Sequence, residues 1–131
     1  MKKYELTTHT IKHNNTVLHR IKALKDFDTV KKGDLGGYIE KESNLSHEGN
    51  AWVFDNARVF GNARIYDNAR VHGYTTRVCL NVIVSGNAIV SGNAIVCGNI
   101  LVVDIVLNEH KHYMRNIILN PFTKDAKLGV I

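Results

Sequence analysis

The sequence is poor in several features that would point to particular classes of protein. Its 131 residues include one proline, one tryptophan and two cysteines. It has no run of about 18 apolar residues and no apolar signal core at the N-terminus, so we expect a cytoplasmic protein without a membrane partner. Two cysteines fit a reducing compartment, where free thiols are expected.

A strong excess of charge of one sign is also missing. The formal net charge is +5, but nine of the 17 basic residues lie within residues 1–42 among six acidic ones. This mixed surplus does not form a basic arm. Nucleic-acid binding is therefore an alternative that the charge permits and does not indicate.

What the sequence does contain is one six-residue repeat. Between Gly49 and Val103 it occurs as GNAWVF, DNARVF, GNARIY and DNARVH, then as SGNAIV twice and as CGNILV. The branched residue returns every six positions, with one extra residue inside residues 73–77. Internal repetition of this kind outranks every other signal, because it indicates stacked copies of one structural unit.

The repeat has a simple physical explanation. Side chains two apart on an extended segment point the same way, so Ala51 and Val53 can face an axis while Trp52 faces outward. Gly or Asp followed by Asn supplies a corner, since Gly and Asn adopt left-handed backbone angles at little cost. The residues that we expect to face the axis include Ala63, Ile65, Val84, Val90, Val96 and Val102.

This repeat resembles that of the hexapeptide-repeat family, which folds as a left-handed parallel β-helix. The resemblance implies an all-β fold in which three six-residue sides close one coil of about 18 residues, giving about three coils in this chain. Small bacterial and phage-encoded hexapeptide-repeat proteins of unassigned activity are the nearest match. The family also includes acyltransferases with a histidine base between subunits and zinc-dependent carbonic anhydrases.

The first two segments of a single domain, residues 1–131, follow from this pattern. Residues 1–34 are predicted to form an N-terminal cap, because two β-rich stretches flank the turn pair Asn14-Asn15 and indicate a hairpin. Residues 35–107 are predicted to form the β-helix, beginning where Gly37-Tyr38-Ile39 imitates a repeat.

The third segment, residues 108–131, is predicted to be a C-terminal cap or oligomerisation segment. The repeat fails there because Asn108 falls where a branched residue should stand. A strand is expected over residues 113–119, followed by a last short stretch at 128–131. We expect the apolar residues of this strand to lie across an exposed apolar side of the β-helix.

Residues one coil apart should stack in outward columns, and one side is apolar apart from Arg64. Such a strip should not remain exposed to water, so we predict that it is covered, in a homodimer or homotrimer or by the chain's own C-terminal segment. The predicted interface residues are Tyr66, Ile83, Leu101, Val103, Ile117 and Leu119. The same count places Cys79 and Cys97 in one column.

Other outward positions carry arginine and aromatic residues. They are candidates for stacking on bases or for gripping phosphates, although such residues also form ordinary ladders on β surfaces. The candidate binding residues are Trp52, Phe54, Arg58, Phe60, Arg70 and Arg77.

Histidine is the residue that an enzyme of this family would need. The candidates are His47, His72, His110 and His112, but spacing fixes no third zinc ligand beside the His110-Lys-His112 pair. No long loop interrupts the repeats, whereas the acyltransferases usually carry one over the active site. We therefore assign no catalytic residue, no metal and no cofactor.

Three functions remain. We favour a non-catalytic interaction or assembly module, of the kind that a phage could encode to bind and inhibit a host protein complex such as a defence system. The alternative is a hexapeptide-type acyltransferase with a histidine base between subunits. The second alternative is a nucleic-acid or nucleotide binder that uses the outward arginines and aromatic residues.

Overall fold

The computed structural model describes residues 2–114 and 116–122. Within these ranges the chain is all-β, with one 3-10 turn at Glu42–Asn44 and no α-helix. The strands, numbered in chain order, are β1 Tyr4–His13, β2 Thr16–Ala23, β3 Leu35–Ile39, β4 Trp52–Val53, β5 Arg58–Val59, β6 Arg64–Ile65, β7 Arg70–Val71, β8 Arg77–Leu80, β9 Ile83–Ser85, β10 Ile89–Val90, β11 Ile95–Gly98, β12 Ile100–Val103, β13 Val106–Leu107, β14 His112–Tyr113 and β15 Ile117–Leu119.

The short strands stack in parallel on three faces of a β-solenoid. The arginine face consists of β3, β5, β8, β11 and β14, the tryptophan face of β4, β7, β10 and β13, and the apolar face of β6, β9, β12 and β15. Backbone bonds such as Arg70 N–H to the Ala88 carbonyl, 3.0 Å, join one coil to the next. The predicted parallel β-helix architecture is confirmed.

The interior is built from the alanine and the branched residue of each repeat. Ala51, Val53, Ala63 and Val90 have no exposed surface, and Ile65 has 1%. In-register pairs place each branched residue on the one below it, as in Val53, Val71 and Val90. One hydrophobic core therefore runs along the solenoid axis.

Corner residues repeat the same stacking outside the core. Each Asn amide donates to the Asn oxygen one coil along, with the Asn81–Asn99 bond at 3.0 Å. The two predicted ladders are present, and their members are Asn50, Asn68 and Asn87 in one and Asn62, Asn81 and Asn99 in the other. Gly49 opens one corner with φ of +71°, and a Cβ there would lie 2.6 Å from the Asp67 carbonyl oxygen. Close stacking at this corner thus requires glycine.

The solenoid has about four turns, so the prediction of about three coils was too low. The last coil is one residue short, because Leu101 pairs with Ile118 and Ile95 with His112, both 17 positions apart. Leu101 and Ile83 are 18 apart in the preceding coil. A search for a fixed spacing of 18 meets Asn108 and stops, whereas the rung is Val106–Leu107, just before it.

The C-terminal cap predicted for residues 108–131 is therefore wrong for its described part. Strands β14 and β15 are rungs of the fourth coil, paired in parallel with β11 and β12. The strand Ile117–Leu119 continues the apolar face and does not lie across it. The expected stretch at 128–131 lies outside the described residues.

The N-terminal hairpin is present. Strands β1 and β2 pair antiparallel around Asn14 and Asn15, whose φ values of 49° and 69° suit a tight turn with two left-handed residues. Strand β2 then pairs antiparallel with β3, so the hairpin extends the arginine face beyond the first coil. Tyr4 and Ile21 have no exposed surface and join the core at this end.

The two cysteines stack in one column, as predicted, because Cys79 and Cys97 are paired residues of β8 and β11. Their Cα atoms are 4.7 Å apart and the side chains form a disulfide. The expectation of free thiols is thus not what the structure shows. Neighbouring in-register strands bring the two residues within the Cα range of a disulfide, and this proximity outweighed the difference in side-chain direction that we had anticipated.

The inward register can be tested at Val90. Replacing Val90 with Asp buries an unpaired charge in the core and should cost several kcal/mol, which prevents cooperative folding. Val106→Asp is the matched control, because Val106 is 53% exposed on the same face and should retain the wild-type melting transition. Circular dichroism melting distinguishes the two, and a folded Val90→Asp protein contradicts the register.

The disulfide can be tested by alkylation. Unfolded but unreduced protein should take up no iodoacetamide, and reduced protein should take up two groups by mass spectrometry. Replacing both cysteines with Ser should lower the free energy of unfolding by about 3 kcal/mol, since the bond closes a loop of 18 residues. Alkylation without reductant shows instead that the pair remains as thiols.

Candidate functional site

Two of the predicted binding residues on the tryptophan face are already occupied. Trp52 is 1% exposed, with the Phe27 ring at 5.2 Å and the Tyr4 ring at 6.2 Å. Arg70, one rung below, forms an ion pair with Asp28. The prediction that Trp52 faces solvent is therefore wrong, because the segment between β2 and β3 crosses this face and covers it.

Phe54 lies on the same face and forms a ladder with His72. The two rings stack 4.3 Å apart with an angle of 5° between their planes. Burial lowers the pKa of His72, and the nearby Asp55 carboxylate opposes the shift only in part. The contact fits an ordinary aromatic ladder, and His72 is not grouped with the other candidate histidines.

The arginine face brings three candidate binding residues together beneath the hairpin tip. Arg58 and Arg77 are paired residues of β5 and β8. The Arg58 Nη1 lies 3.1 Å from Nδ1 of His13, and the Phe60 ring is 4.9 Å from the His13 ring. Burial and the charges of Arg77 and Arg58 lower the pKa of His13. We name Arg58, Arg77 and His13 the cationic cluster.

The apolar face carries a continuous column of aliphatic side chains. Ile83, Leu101 and Ile118 stack in register below Arg64, and Ile118 is 55% exposed. Tyr66 and Val103 stand beside this column, with Tyr66 exposed and Val103 partly exposed. A groove of about 660 Å³ runs along the column between Asn81 and Asn99 on one side and residues 116–118 at its end.

Two interface assignments on this face need correction. Leu119 has no exposed surface and packs in the core. Ile117 is only partly exposed and also packs against the core. The shorter last coil shifts the alternation by one residue, so the outward position belongs to Ile118. The spacing of 17 could have found it.

A second cleft lies near the N-terminal end of the solenoid and includes His47. Its volume is about 530 Å³, and it is bordered by Glu42, Arg64 and Tyr66. His47 Nε2 lies 2.8 Å from Glu42 Oε1, and its Nδ1 accepts the backbone N–H of Lys3 at 3.1 Å. Hydrogen bonds from His47 and from Lys2 hold the pKa of Glu42 below its ordinary value.

The geometry does not leave His47 ready to act as a base. Both ring nitrogens are engaged, and the Tyr4 ring stacks on the imidazole at 4.1 Å. At the other end of the solenoid, the rings of His110 and His112 are 6.1 Å apart. Within residues 2–114 and 116–122, no three His, Cys, Asp or Glu side chains come together as metal ligands.

Comparison with known proteins agrees with this architecture. A family model described as the YdcK β-solenoid repeat matches residues 63–78 and 84–98. The chain carries β-solenoid repeats of the YdcK type. This match confirms the resemblance to the hexapeptide-repeat β-helix family, which the in-register stacking had already indicated.

A curated relative, the "Uncharacterized acetyltransferase YdcK" of Escherichia coli (strain K12), is 44% identical to the chain over 41 residues. The matched part is 31% of this chain and 13% of that protein. The similarity is thus confined to the YdcK-type repeats and covers a small part of the relative. In the part of the chain that the structure describes, no helix is long and apolar enough to span a membrane.

The lowered pKa of His72 predicts how stability depends on pH. The folded protein protonates His72 at a lower pH than the unfolded chain does, so the free energy of unfolding should fall as the pH drops below the ordinary value of about 6.5. Urea unfolding of His72→Gln should show a smaller loss between neutral and mildly acidic pH than wild type. The exposed His112→Gln is the control, and an equal loss in wild type and His72→Gln contradicts the assignment.

Proposed function

We propose that the chain is a non-catalytic assembly module that pairs with a second copy of itself through the apolar face. The observation that supports this is the aliphatic column of Ile83, Leu101 and Ile118. The column lies along an open groove, and each residue retains exposed surface. A contiguous apolar strip of this kind is typical of an interaction surface.

A second copy fits the way charge is distributed on this face. Arg64 stands at one end of the column and the exposed Ile118 at the other, with Ile83 and Leu101 between them. Two copies related by a two-fold axis would place the central aliphatic residues together and the two arginines at the rim. An apolar centre with a polar rim is the usual arrangement of protein interfaces, and a two-fold contact needs a self-complementary surface.

The energy of such a contact is substantial. Burial of a fully exposed Leu or Ile side chain contributes roughly 1.5–3 kcal/mol, and these residues are partly exposed before association. Each of the two copies contributes the same column, and Tyr66 and Val103 add to it. We therefore expect a reversible dimer that dissociates on dilution.

Sedimentation of a double variant tests this proposal. Wild type should exceed the 14.7 kDa of one chain, and Ile83→Lys with Leu101→Lys should shift it to monomer while the melting transition persists. The charges would otherwise be buried in an apolar contact. The matched control is Ile89→Lys with Val106→Lys, which places the same charges at outward positions of the tryptophan face and should leave the dimer intact.

Other outcomes of this experiment identify other occupants. A wild-type monomer whose apolar face exchanges amide hydrogen freely contradicts the proposal outright. A monomer in which this face is protected, and in which removal of residues 123–131 exposes it, shows that the chain's own C-terminus is the occupant. A dimer that the apolar-face variant does not disturb places the contact elsewhere.

A narrower form of the proposal makes the partner a host protein complex that a phage-encoded module inhibits. The apolar face would serve this role as well as it serves self-association. No contact within the described residues and no comparison favours a host complex over a second copy. We therefore retain the second copy as the proposed occupant.

Acetyl transfer is the alternative that the relative's name introduces. The cleft beside His47 supplies a histidine next to a carboxylate, which is the chemistry that the alternative requires. However, both nitrogens of His47 are occupied, and a general base must have one nitrogen free for a substrate proton. The apolar face therefore supports the assembly function better.

A further inference from the structure

The cationic cluster has an unusual electrostatic arrangement. Arg58 and Arg77 are directly opposite one another on neighbouring strands, where like charges repel. The ion pairs among the described residues join Lys2 and His47 to Glu42, Arg70 to Asp28, and Lys111 to Glu109. Arg58 and Arg77 belong to none of these pairs, so the two guanidinium groups share one face without a carboxylate.

Hydrogen bonding in the cluster is also incomplete. Arg77 Nε is buried and has no hydrogen-bond partner in the described part of the chain. Arg58 Nη1 donates to His13 Nδ1, which leaves His13 without a proton on that nitrogen and therefore uncharged. Leaving a buried donor unpaired costs about 1–3 kcal/mol, and a bound acceptor would recover this loss.

Above the cluster the positive charge continues, but its donors are satisfied. Arg20 lies 4.4 Å from the centre of the Tyr38 ring and donates to the Tyr38 hydroxyl, the Gly36 carbonyl and the Asn56 side chain. Tyr38 is paired with Arg58 in the same column. Arg20 thus adds to the positive potential, while Arg58 and Arg77 retain donors that a ligand can use.

We propose that Arg58 and Arg77 bind the phosphate group of a small ligand beneath the hairpin tip. Guanidinium groups present parallel N–H donors that match phosphate oxygens, and two of them side by side neutralise a dianion. The ligand supplies the acceptor for Arg77 and the negative charge that the face lacks. The proposal is independent of self-association, because the apolar face is a different side of the solenoid.

The extent of the cluster fits one phosphate group and not a nucleic-acid backbone. Below Arg77 the outward column continues with Ile95 and His112. Arg64 and Arg70 are on the other two faces. A nucleic acid needs several basic contacts along a continuous track, and no such track extends from this site among the described residues.

Inorganic phosphate and a phosphate ester share the chemistry that the arginines recognise. The rings of Phe60 and His13 stand beside the site and could contact the organic part of an ester. The two sources can be distinguished by comparing sodium phosphate with adenosine monophosphate. Tighter binding of the nucleotide identifies a phosphate ester, and equal binding identifies phosphate alone.

Isothermal titration of the full-length chain tests the site, with sodium chloride at equal ionic strength as the reference. Wild type should bind phosphate, and the His13 imidazole signals should shift in NMR spectra. Arg77→Gln should bind at least about tenfold more weakly, since it removes a charge-assisted hydrogen bond. Arg64→Gln is the matched control, because it removes the same charge from an exposed position on the apolar face and should bind as wild type does.

Melting of each variant without phosphate shows whether it is folded, and Arg58→Gln replaces Arg77→Gln if the latter does not fold. The proposal is overturned if wild type shows no phosphate-specific binding. It is also overturned if Arg64→Gln weakens binding as much as Arg77→Gln. Binding of a single-stranded oligonucleotide that depends equally on Arg64, Arg70 and Arg77 would indicate a diffuse nucleic-acid surface in its place.

Discussion

In-register stacking of the Ala-x-Val rungs is the constraint on which the rest of the structure depends. Each rung has only two or three strand residues, so no strand is stable alone and every backbone group relies on the coil above or below. The buried alanine and branched residue hold the rungs on the axis. Because the core accepts only one register, the outward residues are fixed as well.

The outward columns consequently depend on the length of each coil. Coils of 18 or 19 residues bring Arg58 above Arg77 and Ile83 above Leu101, which creates a cationic cluster on one face and an apolar column on another. The N-terminal segment then removes part of this surface by covering Trp52 and pairing Asp28 with Arg70. The two surfaces that remain are the ones for which we propose ligands.

Much of the fold could be predicted from the sequence, because the repeat states the register directly. The inward residues, both asparagine ladders and the Cys79–Cys97 column all follow from counting coils. The fourth coil could not be found by a fixed period, since a single missing residue moves every later side chain to the opposite side. The burial of Trp52 depends on a non-repeating segment, whose path no periodicity reveals.

The central claim is that the last coil has 17 residues and continues the same stack. Nuclear Overhauser contacts between backbone protons measure this pairing directly. The structure predicts contacts of Leu101 with Ile118 and of Val102 with Leu119, together with contacts of Leu101 with Ile83 in the coil before. Contacts of Leu101 with Leu119 would instead show an 18-residue coil, place Leu119 on the surface and contradict the account of the apolar face.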